Sequence, residues 1–114
     1  MKIINTTRNQ CLAENVLIAD TVSKRLVGLL NKKSFSPPEA LIIKPSNSIH
    51  TFFMRFPIDV IFLDRHNRVI KIIPEFKPFH LSAFYFKAVL VVELPAGRIA
   101  ATLTQVGDML SFPG

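Results

Sequence analysis

Short runs of β-branched and aromatic residues, broken every few positions by proline or other turn formers, make up most of this 114-residue chain. That punctuation predicts a mainly β fold with helix in the minority, α+β by strict count. Strands are expected over 2–6, 10–19, 40–44, 58–63, 68–73 and 109–112, with 49–54 as an extended piece ahead of Pro57. The run AVLVVEL at 88–94 is apolar almost throughout, which is the mark of a central strand covered on both faces. Helical spacing stands out once: Val22, Leu26, Leu29 and Leu30 fall on one face over 22–30. Asp20 or Thr21 is its expected cap, and Asn31 its left-handed stop.

Turn chemistry fills in the connections. The hydrophilic tetrad 64–67 between two apolar runs predicts a hairpin with His66 at its exposed tip. Pro57, Pro95, Gly97, Gly107 and Asp108 mark sharp turns, with a short helical turn over 98–103, and Gly28 inside the helix suggests close approach of another backbone or simple tolerance. The stretch PEFKPFHLSAFYF at 74–86 has loop punctuation but five aromatic rings, so it is expected to fold back over the core.

Composition narrows the class. With 49% apolar and 19% charged residues, ten Phe and no Trp, the chain is a folded module of one domain, 1–114, not a disordered one. No apolar run reaches the roughly 18 residues of a membrane helix. The lone Cys11 has no internal disulfide partner and is expected to be a buried small residue. With no signal-like apolar stretch at the start, a cytoplasmic location is expected. The net charge is +6, but the fourteen Lys and Arg are scattered from Lys2 to Arg98 with no basic tract, so nucleic-acid binding is not expected.

Candidate chemistry concentrates in SIHTFFMRFPIDVIFLD at 48–64, where polar groups sit among apolar ones and must be satisfied internally or by a ligand. His50, Thr51 and Asp59 offer a base, a hydroxyl and a carboxylate, the groups of a hydrolase or transferase. Neighbours on an extended strand point to opposite faces, however, which argues against a bond between His50 and Thr51. Asp59 reads first as an acceptor for backbone N–H groups or an arginine partner, Met54 as core, and Glu93 as a cap of the 95–97 turn or a rim contact. The three histidines lack metal-ligand spacing, so no metal and no cofactor are expected.

Four blocks, ADTVSKRLVGLL at 19–30, SIHTFFMRFPIDVIFLD at 48–64, VVELPAG at 91–97 and VGDML at 106–110, together resemble the domain-of-unknown-function 192 family of small prokaryotic proteins. The resemblance is nearly full length and keeps the family's order and spacing. It implies a compact β-barrel or sandwich-like domain with a few short helices, and it implies no reaction. The positions that carry over are Arg25, Gly28, His50, Thr51, Met54, Pro57, Asp59, Glu93, Pro95, Gly97, Gly107 and Asp108. Asn31 stands where the family commonly has glycine, and Phe53 where it often has tryptophan; Phe53 therefore lacks an indole N–H. Many relatives resemble exported proteins with a leader.

These readings converge on a non-catalytic domain that binds a small polar or anionic ligand or a protein partner. The ligand-binding candidates are His50, Thr51, Met54, Arg25, Asp59 and Glu93. Two alternatives remain: a hydrolase or transferase using His50 and Asp59, and an assembly protein that makes contact through its aromatic 74–86 segment. Oligomeric state is not legible in the chain.

Overall fold

The most apolar run of the sequence becomes the middle of the larger of two sheets. The computed structural model describes residues 1–30 and 32–113. In chain order the elements are β1 (Ile3–Asn5), β2 (Gln10–Ala13), β3 (Asn15–Ala19), α1 (Val22–Val27), β4 (Glu39–Ile43), β5 (Ile58–Leu63), β6 (Val69–Phe76), β7 (Leu90–Pro95), α2 (Arg98–Ala101) and β8 (Leu110–Ser111). A five-stranded sheet runs β3-β4-β7-β5-β6, and a three-stranded sheet runs β2-β1-β8. The sheets are layered like a sandwich and do not close into a barrel.

Side-chain alternation explains why β5 is buried at every position. Ile61 and Leu63 point, with Val92 and Leu94 of β7, into a cluster closed by Ile3, Leu12 and Leu110 of the smaller sheet and Ile99 of α2. Ile58, Val60 and Phe62 point the other way, into a cluster closed by Leu29, Ile49, Met54 and Ala88. The five-stranded sheet is thus the middle layer. One face meets the small sheet and α2, and the other meets the end of α1 and the loops around 49–56 and 85–88. Burial on both faces is what permits a continuous apolar run in β5 and β7.

Several boundaries differ from the sequence expectation, each for a local reason. Residues 10–19 form two strands in different sheets. The break falls at Glu14, where the N–H groups of Glu14 and Asn15 both donate to the Pro38 carbonyl at 2.9 and 3.0 Å. Strand β6 continues through Pro74 to Phe76, because it lies at the edge of its sheet, where a missing N–H costs no ladder bond. The 49–54 piece is not a strand; it carries a single bridge, His50 to Leu81, and turns at Phe52–Phe53. Cys11 is exposed, because it lies on the outward side of β2.

Helix α1 is also shorter than its pattern. Thr21 is the cap, its hydroxyl accepting from Lys24 N at 3.2 Å, but the helix closes at Gly28, whose φ of 49° no L side chain adopts without strain. A Cβ on Gly28 would meet only ordinary contacts at 3.9 Å, so conformation and not close packing accounts for this glycine. Leu29 is buried and Leu30 half-buried, whereas Val22 is 65% exposed. The Leu26 side chain and the expected Asn31 stop lie outside the described residues. Gly28→Ala is expected to lower the unfolding free energy by about 1–2 kcal/mol, measurable by urea titration; an unchanged midpoint would contradict a conformational role.

The 74–86 segment departs most from expectation. Phe76 and Tyr85 pack against the core, but Phe79, Phe84 and Phe86 are 60%, 66% and 89% exposed. Backbone pairing explains the split. Residues 47–51 run antiparallel to 79–85, with bonds from Thr51 N to His80 O, Ser82 N to Ile49 O and Tyr85 N to Asn47 O, all at 2.9 Å. The ribbon buries Ile49, Thr51 and Ser82, while Phe79, Phe84 and Phe86 stay exposed.

Candidate functional site

The predicted site residues divide among three environments. Asp59 sits on β5 with its side chain toward α2, fully buried. One carboxylate oxygen accepts from Ile99 N at 2.7 Å, in the first turn of α2, and the other from Glu75 N at 2.9 Å. Glu75 needs that anchor, since its φ is 51°. Asp59 is therefore the tie between β5, the helix end and the bend in β6.

Thr51 is equally occupied. Its hydroxyl donates to Lys77 O at 2.6 Å and accepts from His80 N at 3.0 Å, and its carbonyl accepts from Phe79 N at 2.8 Å. With no exposed surface, it clamps the 77–80 bend onto the 48–56 loop. Met54 is 6% exposed and lies within the apolar cluster beneath that loop. Glu93 is neither a turn cap nor a rim contact. It lies mid-strand on β7 between Leu41 of β4 and Val60 of β5, 3% exposed, and burial pushes its carboxyl up to about 8. Among the described residues no hydrogen bond reaches that carboxyl.

The turn residues lie at both ends of the central strands, Pro57, Pro95 and Gly97 beside Ile58, and Gly107 and Asp108 beside Val69. Gly97 and Gly107 both have φ of 97°, at the start of α2 and in the turn before β8. Pro57 lies just before β5, and Pro95 is the last residue of β7. Asp108 is buried and accepts from Asn5 Nδ2 at 2.9 Å, Arg8 Nε at 3.0 Å and Gln105 N at 3.0 Å. Burial by itself would raise its pKa, but these donors outweigh that effect and hold it below the usual carboxylate range.

Arg25 and His50 are brought together. They line a cleft of about 260 Å³ between α1 and the 43–50 segment, with Ser46 and Ser48 as further polar residues and Val22 and Ile43 as apolar wall. Arg25 comes from the last turn of α1, and His50 from the ribbon. Among the described residues the ion pairs are Arg8–Asp108 and Lys32–Glu39, so Arg25 has no carboxylate partner there. The exposed His50 ring stacks on Phe52 at 5.4 Å, and its Nδ1 accepts from Phe52 N at 3.3 Å. That bond leaves the proton of a neutral imidazole on Nε2, so the ring offers the cleft's surroundings a donor. Ser46 Oγ is already committed, donating to Ser48 O at 2.9 Å.

His50 and Asp59 do not form a dyad. Asp59 faces the α2 layer with both oxygens engaged, His50 lies beyond the opposite face of the same sheet, and no hydrogen bond joins them among the described residues. Nor does any group of three or more His, Cys, Asp or Glu among the described residues have metal-binding proximity. No helix among them is long and apolar enough to cross a membrane.

Sequence reasoning missed the walls of the cleft and the pairing of Phe53 with Phe79 of the suspected contact segment. Ser46, Ser48 and Val22 join Arg25 only because a helix end meets a loop. Phe53 and Phe79 are 75% and 60% exposed and form an edge-to-face pair 5.6 Å apart, each with left-handed backbone at φ 65° and 63°. Such a conformation costs a bulky residue of order 1–3 kcal/mol and is sustained here by the Thr51 clamp. The signal available was the density of phenylalanines in segments otherwise punctuated as loops.

Comparison with known proteins places the fold and the family. A crystallised Novosphingobium aromaticivorans protein of unknown function superposes with a TM-score of 0.84 at 19% identity, over 97% of this chain and 82% of that one. A Sinorhizobium meliloti structure whose name proposes a regulator of transcription gives 0.79 at 19% identity, over 96% and 89%. At that identity the likeness concerns the fold alone. A UPF0127 protein of Pyrococcus horikoshii is 34% identical over 96% of this chain and 97% of its own length, and one of Thermococcus kodakarensis is 32% identical over 96% and 72%. The sequence model of DUF192, described as an uncharacterised ACR, matches residues 3–112, and the chain belongs to that family.

Proposed function

We propose that this protein is a non-catalytic binding domain that takes a small anion in the Arg25–His50 cleft. The observation that carries the reading is a guanidinium without a carboxylate partner among the described residues, set beside an imidazole in one concave site. A cleft of 260 Å³ is below the roughly 300–1,000 Å³ of drug-sized sites, which favours a phosphate or a small carboxylate. Arginine suits either, because its fork of N–H donors matches paired oxygens.

Inorganic phosphate is the direct probe. At about ten times its dissociation constant it is expected to stabilise the wild type by about 1.4 kcal/mol, a thermal shift of several degrees. Arg25→Ala and His50→Ala are each expected to lose most of that shift, with chloride at equal ionic strength as the control. Equal shifts in all three proteins would remove the basis for the cleft.

A second reading, contact through the aromatic 74–86 segment, is supported by the outward placement of Phe79, Phe84 and Phe86. Buried rings would have spoken for core packing. Exposed apolar area concentrated along one ribbon is instead the usual character of a contact surface.

A further inference from the structure

We infer that the ribbon formed by residues 47–53 and 79–86 docks on an anionic lipid surface. The inference rests on the second reading above, contact through the aromatic segment, and names its partner. Phe52, Phe53, Phe79, Leu81, Phe84 and Phe86 are exposed by 39%, 75%, 60%, 68%, 66% and 89%. They sit on two segments tied together by the bonds from 47–51 to 79–85.

Charge selects the partner. From Lys44 to Pro57 and from Phe76 to Val89 the chain contains no Asp or Glu, while Lys44, Arg55, Lys77 and Lys87 are all exposed there. Large apolar side chains interspersed along both segments with cations, the acid nearest the second segment being the exposed Glu75 just before it, match the chemistry of an acidic headgroup layer above acyl chains. The same charge disfavours a second copy of this chain on the patch, since like charges would meet across a twofold axis.

At the Phe53–Phe79 pair, ring geometry favours lipid over single-stranded nucleic acid. A base-stacking platform needs open ring faces. In the Phe53–Phe79 pair the rings lie at 73° to each other, so the edge of one covers the face of the other, and Leu81 has no face to offer. Insertion among acyl chains places no such demand on orientation. Phe53 and Phe79 both lie in turns with left-handed backbone.

Vesicle co-sedimentation with the full chain tests this. Binding is expected to vesicles of phosphatidylglycerol mixed with phosphatidylcholine and to be at least about tenfold weaker to phosphatidylcholine alone. Raising salt from about 0.1 to 0.5 M is expected to weaken it by a similar factor. The double variant Phe53→Ser/Phe79→Ser and the charge variant Lys77→Glu/Lys87→Glu should each lose about tenfold or more, with unchanged thermal melting showing that the fold is intact. Arg25→Ala should still bind, which separates this surface from the cleft. Absence of binding to the anionic vesicles overturns the proposal, as does equal binding to neutral ones. If the free protein instead self-associates in a Phe53- and Phe79-dependent way, contact through the segment stands and the lipid partner falls. Preferential binding of a single-stranded RNA oligomer over the vesicles also overturns it.

Discussion

Asp59→Ala is expected to lower the unfolding free energy by roughly 3–5 kcal/mol, the largest effect of any single substitution proposed for this chain. The carboxylate is fully buried and holds two backbone donors, Ile99 N at 2.7 Å and Glu75 N at 2.9 Å. Removing it leaves both N–H groups without their acceptor, that of Ile99 in the buried interior and that of Glu75 in a part-buried bend with left-handed backbone, and an unsatisfied buried group costs about 1–3 kcal/mol. Asp59→Asn should recover only part of the loss, because its amide nitrogen turns a donor toward one of the two N–H groups. The effect should also be local. Amide exchange is expected to speed up first at Ile99 and Glu75, with the phosphate response of the Arg25–His50 cleft retained. Urea titration with hydrogen exchange checks both; a loss below about 1 kcal/mol would show that the tie is not structural.

The second large effect is one of pH. Burial lifts the Glu93 carboxyl from its usual 4.5 to about 8, so between those values the folded protein keeps a proton that the unfolded chain has released. The folded state then binds more protons than the unfolded one, and stability falls as pH rises through this window, by up to about 1.4 kcal/mol per unit. By pH 7 the loss relative to pH 4.5 reaches about 3 kcal/mol, and above pH 8 it levels off. Glu93→Gln has no proton to hold. It should match the wild type near pH 4.5 and exceed it by about 3 kcal/mol at pH 7. Asp108 acts in the opposite sense and in a separate window. Its depressed pKa contributes stability that is lost only as the pH falls below the ordinary carboxylate range. Denaturant midpoints of the two proteins from pH 4.5 to 8 decide the matter, and parallel curves would falsify the role given to Glu93.

Glu93 also shows where pattern reading stops. In VVELPAG a single acid near a turn reads as a cap or a rim contact, because a charged residue is rarely placed in a core. Its register opposite Leu41 and Val60, in a sheet covered on both faces, is a property of the layers and not of the heptapeptide. Asp59 was more legible. A carboxylate one residue into an apolar strand calls for backbone donors, although nothing local to it names residues as distant as Glu75 and Ile99 as the donors. Cys11 and the 74–86 rings illustrate the converse error. Apolar character suggested burial for both, but a three-stranded sheet with an outer face and a ribbon with an outer side leave some apolar groups in water.

By itself the chain determined its local elements: the strands from their β-branched runs, the Thr21 cap from its hydroxyl, and the turns at Gly97 and Gly107 from their conformational freedom. It also determined which segments cross the middle of the molecule, because only a strand covered on both faces can be apolar throughout. Tertiary structure decided the rest. Period-2 alternation within β5 sent Asp59 to one layer, and the 48–56 loop placed His50 over the other, so two residues nine apart in sequence share no site. The turn into α1 and the loop after β4 brought Arg25 and His50 into one cleft from 25 residues apart. Pairing of 47–51 with 79–85 chose which phenylalanines became core and which became surface. Each of these outcomes depends on contacts between distant segments, and local residue preferences carry no information about those.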